Sequence, residues 1–247
     1  MTLSWFDAFA KDYDAWYREK LGSFVDKVQK QLIEELAKPE AGEITLDIGS
    51  GTGNYSIWLA RKGLYVTAID ESKEMMAISK KKVEKDNLNI DMYLGKAESL
   101  PFTENSFDLV VSVTTIEFVD NPAQVLREAI RVLKPGGRLV IGVLTKDSPW
   151  GDFYQSKIKE DPNNVYAKAH LFTEEELCKL LNMHYVLKKG LYVDPLDEFD
   201  EKVACKIEQK KQYEQANRAG FYVIRWIRRQ NDDIMSAFTL SSWNERI

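Results

Sequence analysis

The sequence has 247 residues, a length that one α/β domain with a single hydrophobic core can fill. Hydrophobic residues make up 44% and charged residues 30% of the chain, which are the proportions of an ordinary globular protein. The formal net charge of -5 excludes an overall basic surface, so neither a nucleic acid nor an anionic membrane is an expected partner.

The two cysteines, Cys178 and Cys205, are far apart, and neither belongs to a Cys-x-x-Cys motif or a Cys/His cluster. We therefore expect no disulfide framework and no bound metal. The N-terminus lacks the basic start and apolar run of a secretory signal, and no apolar stretch approaches the roughly 18 residues of a membrane span. These features favour a cytoplasmic protein without a membrane span, which we expect to be a monomer or a homodimer.

Runs of apolar and β-branched residues predict strands up to residue 145. Near-continuous apolarity is typical of strands that are buried on both faces of a parallel sheet. Helical patterns at 53–62, 72–86 and 122–133 separate the strands, and Pro135-Gly136-Gly137 is expected to end the last helix. This alternation predicts right-handed βαβ units and a doubly wound sheet. The strong runs are Ile44–Ile48, Leu64–Ile69, Phe107–Val113 and Arg138–Leu144, and a weaker one is Ile90–Leu94.

Three regions fall outside this pattern. Aromatic-rich helices are predicted at 4–38, a loop followed by a capping box at Thr173 and Glu176 lies within 146–183, and a charged helix is predicted within 195–219. Two late runs predict an antiparallel pair of strands at the sheet edge, namely Tyr185–Val193 and Gly220–Arg228.

The segment from Asp47 to Gly53 (Asp-Ile-Gly-Ser-Gly-Thr-Gly) joins the first predicted strand to a helix. Glycines allow a tight turn and a close approach of the backbone to a ligand. Ligands of open parallel sheets lie beyond the carboxyl ends of the strands. The Gly-x-Gly-x-Gly spacing differs from the Gly-x-Gly-x-x-Gly that seats a pyrophosphate. With an acid before it, the segment favours a ligand that carries an ammonium group, with Asp47 as its partner directly or through water.

The second predicted strand ends at Asp70. A carboxylate at this position can accept hydrogen bonds from both ribose hydroxyls of a nucleoside, although a mere helix cap is the simpler alternative. A glycine turn followed by a distal acid predicts an adenosine-type ligand. NAD-dependent enzymes share this pair, so it does not by itself decide between cofactors.

Further sequence blocks, in a fixed order along the chain, narrow the choice of cofactor. Together with the glycine segment and Asp70, they resemble the class I S-adenosylmethionine-dependent methyltransferases of the ubiquinone/menaquinone-biosynthesis C-methyltransferase type (methyltransferase type 11 domain). The resemblance covers roughly residues 42–145 and implies a Rossmann-like doubly wound sheet of seven mostly parallel strands, an antiparallel edge strand and a helical cap. The blocks are Gly95–Phe102, Asn105–Val110, Ile116–Pro122 and Leu126–Gly137.

The resemblance also implies roles for individual residues. S-adenosyl-L-methionine is the implied cofactor, and Asp70, with Glu71 beside it, would bind its ribose hydroxyls. Met75 would lie against the adenine and Thr114 near the sulfonium, while Tyr13 or Tyr17 could close over the methionine carboxylate or the acceptor. The methionine and ribose moieties would be lined by Gly49, Ser50, Gly51 and Gly53, and the adenine ring would be edged by Ala97 and Glu98.

One position departs from the family pattern. Family members often carry Asp where this chain has Lys96, and a lysine cannot accept a hydrogen bond from the adenine amine. Either Glu98 or the backbone takes over this contact, or Lys96 points to solvent.

Residues that would catalyse the transfer are less evident. Glu117 follows the predicted strand Phe107–Val113 and could act as a general base, but a solvated loop carboxylate is the favoured interpretation. Tyr17 and His170 are weaker candidates, and Trp150 could wall the acceptor pocket or anchor its loop. With no evident histidine or acidic dyad, we expect catalysis chiefly by proximity.

The favoured function is methyl transfer to a small-molecule acceptor. The alternatives are an NAD-dependent oxidoreductase, which the glycine spacing disfavours, and a non-catalytic S-adenosylmethionine-binding protein, since a fold alone does not prove catalysis. We expect one methyltransferase domain over 1–229 and a tail at 230–247. Within the domain we expect an N-terminal cap at 1–40, a cofactor-binding core at 42–145 and a variable substrate-side region at 146–219 with late strands to 229.

Overall fold

The computed structural model describes residues 4–229. Its seven strands are β1 (Ile44–Ile48), β2 (Tyr65–Asp70), β3 (Ile90–Leu94), β4 (Phe107–Val113), β5 (Leu133–Leu144), β6 (Tyr185–Gly190) and β7 (Phe221–Ile227). The α-helices are α1 (Ala10–Trp16), α2 (Lys20–Ala37), α3 (Asn54–Arg61), α4 (Lys73–Lys85), α5 (Pro122–Val132), α6 (Pro149–Glu160), α7 (Glu174–Cys178) and α8 (Glu201–Tyr213). Short 3₁₀ helices span Trp5–Ala8 and Val165–Lys168.

The strands form one sheet in the order β3-β2-β1-β4-β5-β7-β6. β1 pairs in parallel with both β2 and β4, so the strand order reverses between β1 and β4. Loops that leave the carboxyl ends of these strands diverge to opposite faces, which opens a crevice at this point. β7 is antiparallel to both of its neighbours and lies between β5 and the edge strand β6.

Each face of the sheet is covered by its own apolar cluster. Because side chains alternate along a strand, Leu109 and Val111 of β4 face the cluster built with α2 and α3, whereas Val110 faces the cluster built with α5. All three side chains are fully buried. This burial on both faces explains why the central strands are apolar at nearly every position.

The predicted Rossmann-like sheet of seven mostly parallel strands is confirmed. Ser72, the first residue of the helical pattern at 72–86, caps α4 by accepting a hydrogen bond from the Met75 amide. The predicted capping box at Thr173 and Glu176 is also present. The predicted start of the fifth strand at Arg138 was wrong, because β5 begins at Leu133 and includes the Pro-Gly-Gly segment that was expected to separate the helix from the strand. Leu133 pairs with Phe107 across an irregularity in the β4 register, which extends the strand.

Within the described range, no helix combines the length and apolarity needed to cross a membrane. The tail expected at 230–247 lies outside the described residues.

Candidate cofactor and acceptor site

A cavity of about 600 Å³ lies at the reversal point, beyond the carboxyl ends of β1, β2 and β4. Its walls come from the glycine segment, the ends of β2 and β3, the loop after β4, and the N-terminal segment 4–17, which we call the cap segment. The predicted site residues that line it are Tyr13, Tyr17, Gly49, Ser50, Gly51, Asp70, Glu71, Met75, Ala97, Glu98 and Thr114.

Two glycines shape the floor of the cavity. Gly49 has a φ of +70°, and a Cβ atom there would lie 2.2 Å from the Thr115 methyl group. The Thr115 hydroxyl lies within hydrogen-bond distance of the carbonyls of Ile48, Gly49 and Val113, among which its single proton is shared. A Cβ on Gly51 would meet no atom within 4 Å, so this part of the backbone faces open space. A ligand can therefore approach the Gly51 backbone directly.

The Asp70 carboxylate is held by the backbone on both sides. Its Oδ2 accepts a hydrogen bond from the Gly51 amide at 2.8 Å, and its Oδ1 accepts one from the Ser72 amide at 2.8 Å. Burial raises the pKa of Asp70 above its usual value, while the two amides counteract this shift. Each carboxylate oxygen keeps a second lone pair, so the group can still accept hydrogen bonds from a diol.

At the opposite wall, Thr114 has a φ of +49°, which is a strained conformation for a β-branched residue. Its amide donates to the Gly142 carbonyl at 2.8 Å, and its side chain is a neighbour of the Tyr13 phenol. The rings of Tyr13 and Tyr17 lie 5.8 Å apart. Burial raises the pKa of both phenols, so they remain uncharged around neutral pH.

The loop after β3 forms the remaining side. Ala97 and Glu98 line the cavity there, and the Gln124 side chain of α5 donates to the Glu98 carbonyl at 3.2 Å. Met75 presents an almost fully buried apolar side chain to the same side. Lys96 is exposed at the rim, which agrees with the alternative that it points to solvent.

Two predicted cofactor contacts do not reach the cavity wall. Asp47 is 2% exposed and accepts a hydrogen bond from the Ser56 hydroxyl at 2.5 Å. Burial raises its pKa to about 7. Gly53 is the N-cap of α3, and a Cβ on it would meet the Ser79 hydroxyl rather than the cavity. Both residues therefore lie behind the cavity wall. The structure provides no direct contact between Asp47 and a ligand in the cavity.

The interpretation of Glu117 as a solvated loop carboxylate was wrong. The side chain is 1% exposed, because the chain turns inward after β4. Its Oε1 accepts a hydrogen bond from the Leu144 amide at 2.7 Å, and its Oε2 has no partner among the described residues. Burial raises the pKa of this carboxyl to about 8, so at neutral pH it is largely protonated. Glu117 does not line the cavity.

His170 and Trp150 also lie away from the cavity wall. The His170 ring packs edge-on against Phe172, and its Nε2 is 3.8 Å from Glu176 in an exposed position. The Trp150 indole donates to the Val193 carbonyl at 2.9 Å and is buried, so it anchors its loop.

The sequence interpretation missed several wall residues. Phe6 of the cap segment packs edge-on against Phe118, with ring centroids 4.9 Å apart. Trp5 donates to the Val165 carbonyl at 3.2 Å and lies under the Lys168 ammonium, which is 4.6 Å from its ring. The many aromatic residues near the N-terminus were the available signal for these wall residues. Helical spacing alone could not distinguish residues of the cavity wall from residues of the hydrophobic core.

These features fit a bound S-adenosylmethionine. An anchored carboxylate at the end of β2 suits a ribose, the open face of Gly51 leaves space for the ligand, and apolar groups at Met75 and Ala97 suit a flat ring. All of these groups line the same cavity.

Comparison with known proteins agrees with this fit. Residues 46–141 match a family model described as a methyltransferase domain. An uncharacterized protein of Methanocaldococcus jannaschii is 32% identical over 71% of this chain and 78% of its own length. The demethylmenaquinone methyltransferase of Renibacterium salmoninarum is 35% identical over 55% of each chain, so the match spans about half of that relative.

Among solved structures, a Thermotoga maritima S-adenosylmethionine-dependent methyltransferase, described as a possible histamine N-methyltransferase, has 26% identity and a TM-score of 0.68. The alignment covers 91% of this chain and 98% of that one. The chain therefore belongs to the class I S-adenosylmethionine-dependent methyltransferases, and S-adenosylmethionine is its cofactor.

Proposed function

We propose that this protein transfers a methyl group from S-adenosylmethionine to a small-molecule acceptor bound in the same cavity. The observation that carries this proposal is the continuity of the cavity. The residues fitted for the cofactor and the strained Thr114, with its two tyrosines, line one space of about 600 Å³. That volume is in the range of small-ligand sites.

In this proposal Asp70 holds the ribose hydroxyls, with Glu71 beside it, and the glycine segment follows the methionine moiety. Ala97, Glu98 and Met75 form the adenine side, and Asp47 acts from behind the wall on the cofactor ammonium through water. Tyr13, Tyr17 and Thr114 lie at the transfer end, where their hydroxyls orient the reacting groups.

Bound S-adenosylmethionine supplies an activated methyl group on its sulfonium. The protein's residues then have to align the acceptor and exclude water. The cap segment covers the cavity with Trp5, Phe6 and Tyr13, which supports exclusion of water. Because the tyrosines are uncharged and Glu117 does not line the cavity, we propose catalysis by proximity without a dedicated general base.

A small acceptor is favoured by the closure of the entrance. The hydrogen bond from Trp5 to the Val165 carbonyl and the stacking of Lys168 on Trp5 join the cap segment to the Val165–Lys168 turn across the rim. This closure disfavours a macromolecular acceptor. The names of the related proteins, demethylmenaquinone methyltransferase and possible histamine N-methyltransferase, also refer to small molecules.

The cofactor part of the proposal is tested with Asp70→Ala. Losing a charge-assisted hydrogen-bond acceptor should raise the Kd for S-adenosylmethionine about 10- to 100-fold by calorimetry. Asp91→Ala, which removes an exposed aspartate from β3, is the matched control and should bind like the wild type. Unchanged affinity in Asp70→Ala would show that Asp70 is not the ribose ligand.

The acceptor part is tested by S-adenosylhomocysteine formation from the wild-type protein with panels of small molecules, total protein and RNA. We expect product only with small molecules. Cofactor binding without product from any panel would favour the non-catalytic alternative instead. Turnover of nicotinamide cofactors, which would indicate an oxidoreductase, is not expected.

We also propose that residues 1–229 act as one domain, because both apolar clusters pack on the same sheet. A cytoplasmic monomer or homodimer remains our expectation, and light scattering of the purified chain measures the oligomeric state.

A further inference from the structure

A polar network joins the cap segment to the glycine segment and to α4. The Lys82 ammonium of α4 donates to Asp14 Oδ2 at 3.0 Å and to Asn54 Oδ1 at 2.6 Å. The Thr52 hydroxyl donates to Asp14 Oδ1 at 2.7 Å, and the Lys82 ammonium lies 3.4 Å from the same hydroxyl. Four side chains from three parts of the chain thus share one cluster.

The cluster is placed between the cap and the cavity floor. Thr52 of the glycine segment and Asn54, which directly follows this segment, line the cavity. Asp14 follows Tyr13 on α1, and Tyr13 and Tyr17 line the cavity from the other side. The Lys82 and Asp14 side chains are 29% and 23% exposed, so their charges are partly shielded from solvent. Charge-assisted hydrogen bonds in such a position are stronger than exposed ion pairs.

A second link holds the other end of the cap segment. The Ser72 hydroxyl donates to Asp7 at 2.6 Å, and the Ser4 hydroxyl donates to Glu71 at 2.9 Å. This link consists of hydroxyl-to-carboxylate hydrogen bonds, and Glu71 in it is exposed. At the α1 end, by contrast, the Lys82 ammonium adds a cation to the network.

We propose that Lys82 is a positioning residue that latches α1 over the cavity through Asp14, and thereby slows the release of S-adenosylmethionine. This inference rests on the proposed cofactor site. Without the Lys82 ammonium, the Asp14 carboxylate keeps only the Thr52 and Asn54 donors, and solvation of its charge favours a cap segment that has moved away from the floor. The tyrosines on α1 would move with it.

The test is Lys82→Met, which keeps the apolar stem and removes the charge. We expect the dissociation rate of S-adenosylmethionine, measured by stopped-flow fluorescence, to rise about 10-fold, with a smaller change in kcat. Lys80→Met is the matched control, because Lys80 lies on the same helix and its one ion pair among residues 4–229 is with the exposed Glu84 at 4.0 Å. Lys82→Arg, which keeps the positive charge, should release S-adenosylmethionine more slowly than Lys82→Met.

Hydrogen exchange of the cofactor-free protein gives a readout that does not depend on activity. Lys82→Met should speed exchange of the amides of α1 more than those of α3 and α4. Asp14→Asn, which keeps hydrogen-bonding capacity and loses the charge, should shift both readouts in the same direction and should not add to Lys82→Met.

An unchanged dissociation rate in Lys82→Met, or faster exchange spread equally over α1, α3 and α4, would overturn the latch. Those outcomes leave the proposed function intact as long as the wild type binds S-adenosylmethionine and forms S-adenosylhomocysteine. Failure of the wild type to bind the cofactor is a separate result, which removes the cofactor site itself.

Discussion

Gly49 and Thr115 form the tightest contact in the floor of the cavity. The Thr115 side chain occupies the space that a Cβ on residue 49 would need, and its hydroxyl lies within hydrogen-bond distance of three carbonyl groups. The left-handed backbone of Gly49 adds conformational strain for any other residue. Two independent constraints therefore act on the same position.

This double constraint predicts a severe effect of Gly49→Ala. We expect a loss of about 3 kcal/mol in the free energy of unfolding by urea titration, together with weakened cofactor binding, because Thr115 must move. Gly136→Ala is the matched control, since Gly136 also has a positive φ but no atom lies within 4 Å of its Cβ position. That variant should lose only about 1 kcal/mol. Equal losses in the two variants would show that strain, not the clash, dominates.

The loop that follows β3 is held in place by helix α5. The Arg131 guanidinium donates to the Phe102 carbonyl at 2.8 Å and to the Leu100 carbonyl at 3.1 Å, while the Glu128 carboxylate accepts from the Leu100 amide at 2.9 Å. Arg131 and Glu128 also pair with each other at 2.7 Å, and Arg131 holds the pKa of Glu128 below its usual value. The helix thus fixes the side of the cavity proposed for the adenine.

Replacing Arg131 should lower both the stability of the protein and its affinity for S-adenosylmethionine. We expect Arg131→Met to lower the free energy of unfolding by about 2 kcal/mol, because two carbonyl groups and Glu128 lose a charged donor. The Kd for S-adenosylmethionine should rise about 3- to 10-fold, since Ala97 and Glu98 lie on the loosened loop. Arg61→Met breaks an exposed ion pair with Asp86 and is the control. If both variants behave alike, α5 does not shape the site.

The elements that could be predicted from the sequence are those with strong local patterns. β1, β2 and β4 were identifiable because their apolar runs reflect burial on both faces. The capping box of Thr173 and Glu176 was identifiable because a cap acts within its own turn. The start of β5 was mispredicted, because Pro-Gly-Gly usually breaks a helix and its pairing depends on a distant strand.

The site was also predictable only in part, because some of its contacts depend on residues that are distant in the sequence. Asp70 and Gly51 belong to a local motif, whereas the inward turn of Glu117 depends on an amide donated by β5. The network of Asp14 and Lys82 joins residues 68 positions apart, and no local pattern marks such a pair. A single sequence therefore does not reveal the contacts of the site that join polar side chains from distant parts of the chain.

For the molecule as a whole, buried acids shape the dependence of stability on pH, and two of them have large upward pKa shifts. Burial raises the pKa of Asp47 from 3.8 to about 7 and that of Glu117 from 4.5 to about 8. Between pH 5 and the native pKa of each acid, the unfolded chain has largely released a proton that the native protein still holds. Stability therefore falls as pH rises, by up to about 1.4 kcal/mol per pH unit for each acid, until the native pKa is passed.

The carboxylates whose pKa is lowered in the native protein do not offset this trend. Burial counteracts the shift at Glu35 and Asp108, but their lysine partners, Lys188 and Lys134, hold the pKa of each below its usual value. The stability that such groups contribute grows only up to about their unfolded pKa and is complete above it. Between pH 5 and pH 8 the buried acids are thus expected to set the slope.

Glu117→Gln isolates one of these two contributions. A glutamine can still accept the Leu144 amide, and it cannot ionise. We expect the variant to show a shallower fall in the free energy of unfolding between pH 5 and pH 8, with a gain of about 1 to 3 kcal/mol over the wild type at pH 8 and little difference at pH 5. Glu19→Gln, at an exposed position, should follow the wild-type curve. Parallel curves for Glu117→Gln and the wild type would mean that Glu117 ionises at its ordinary pKa in the native protein. Its burial would then have to be relieved by water that reaches Oε2.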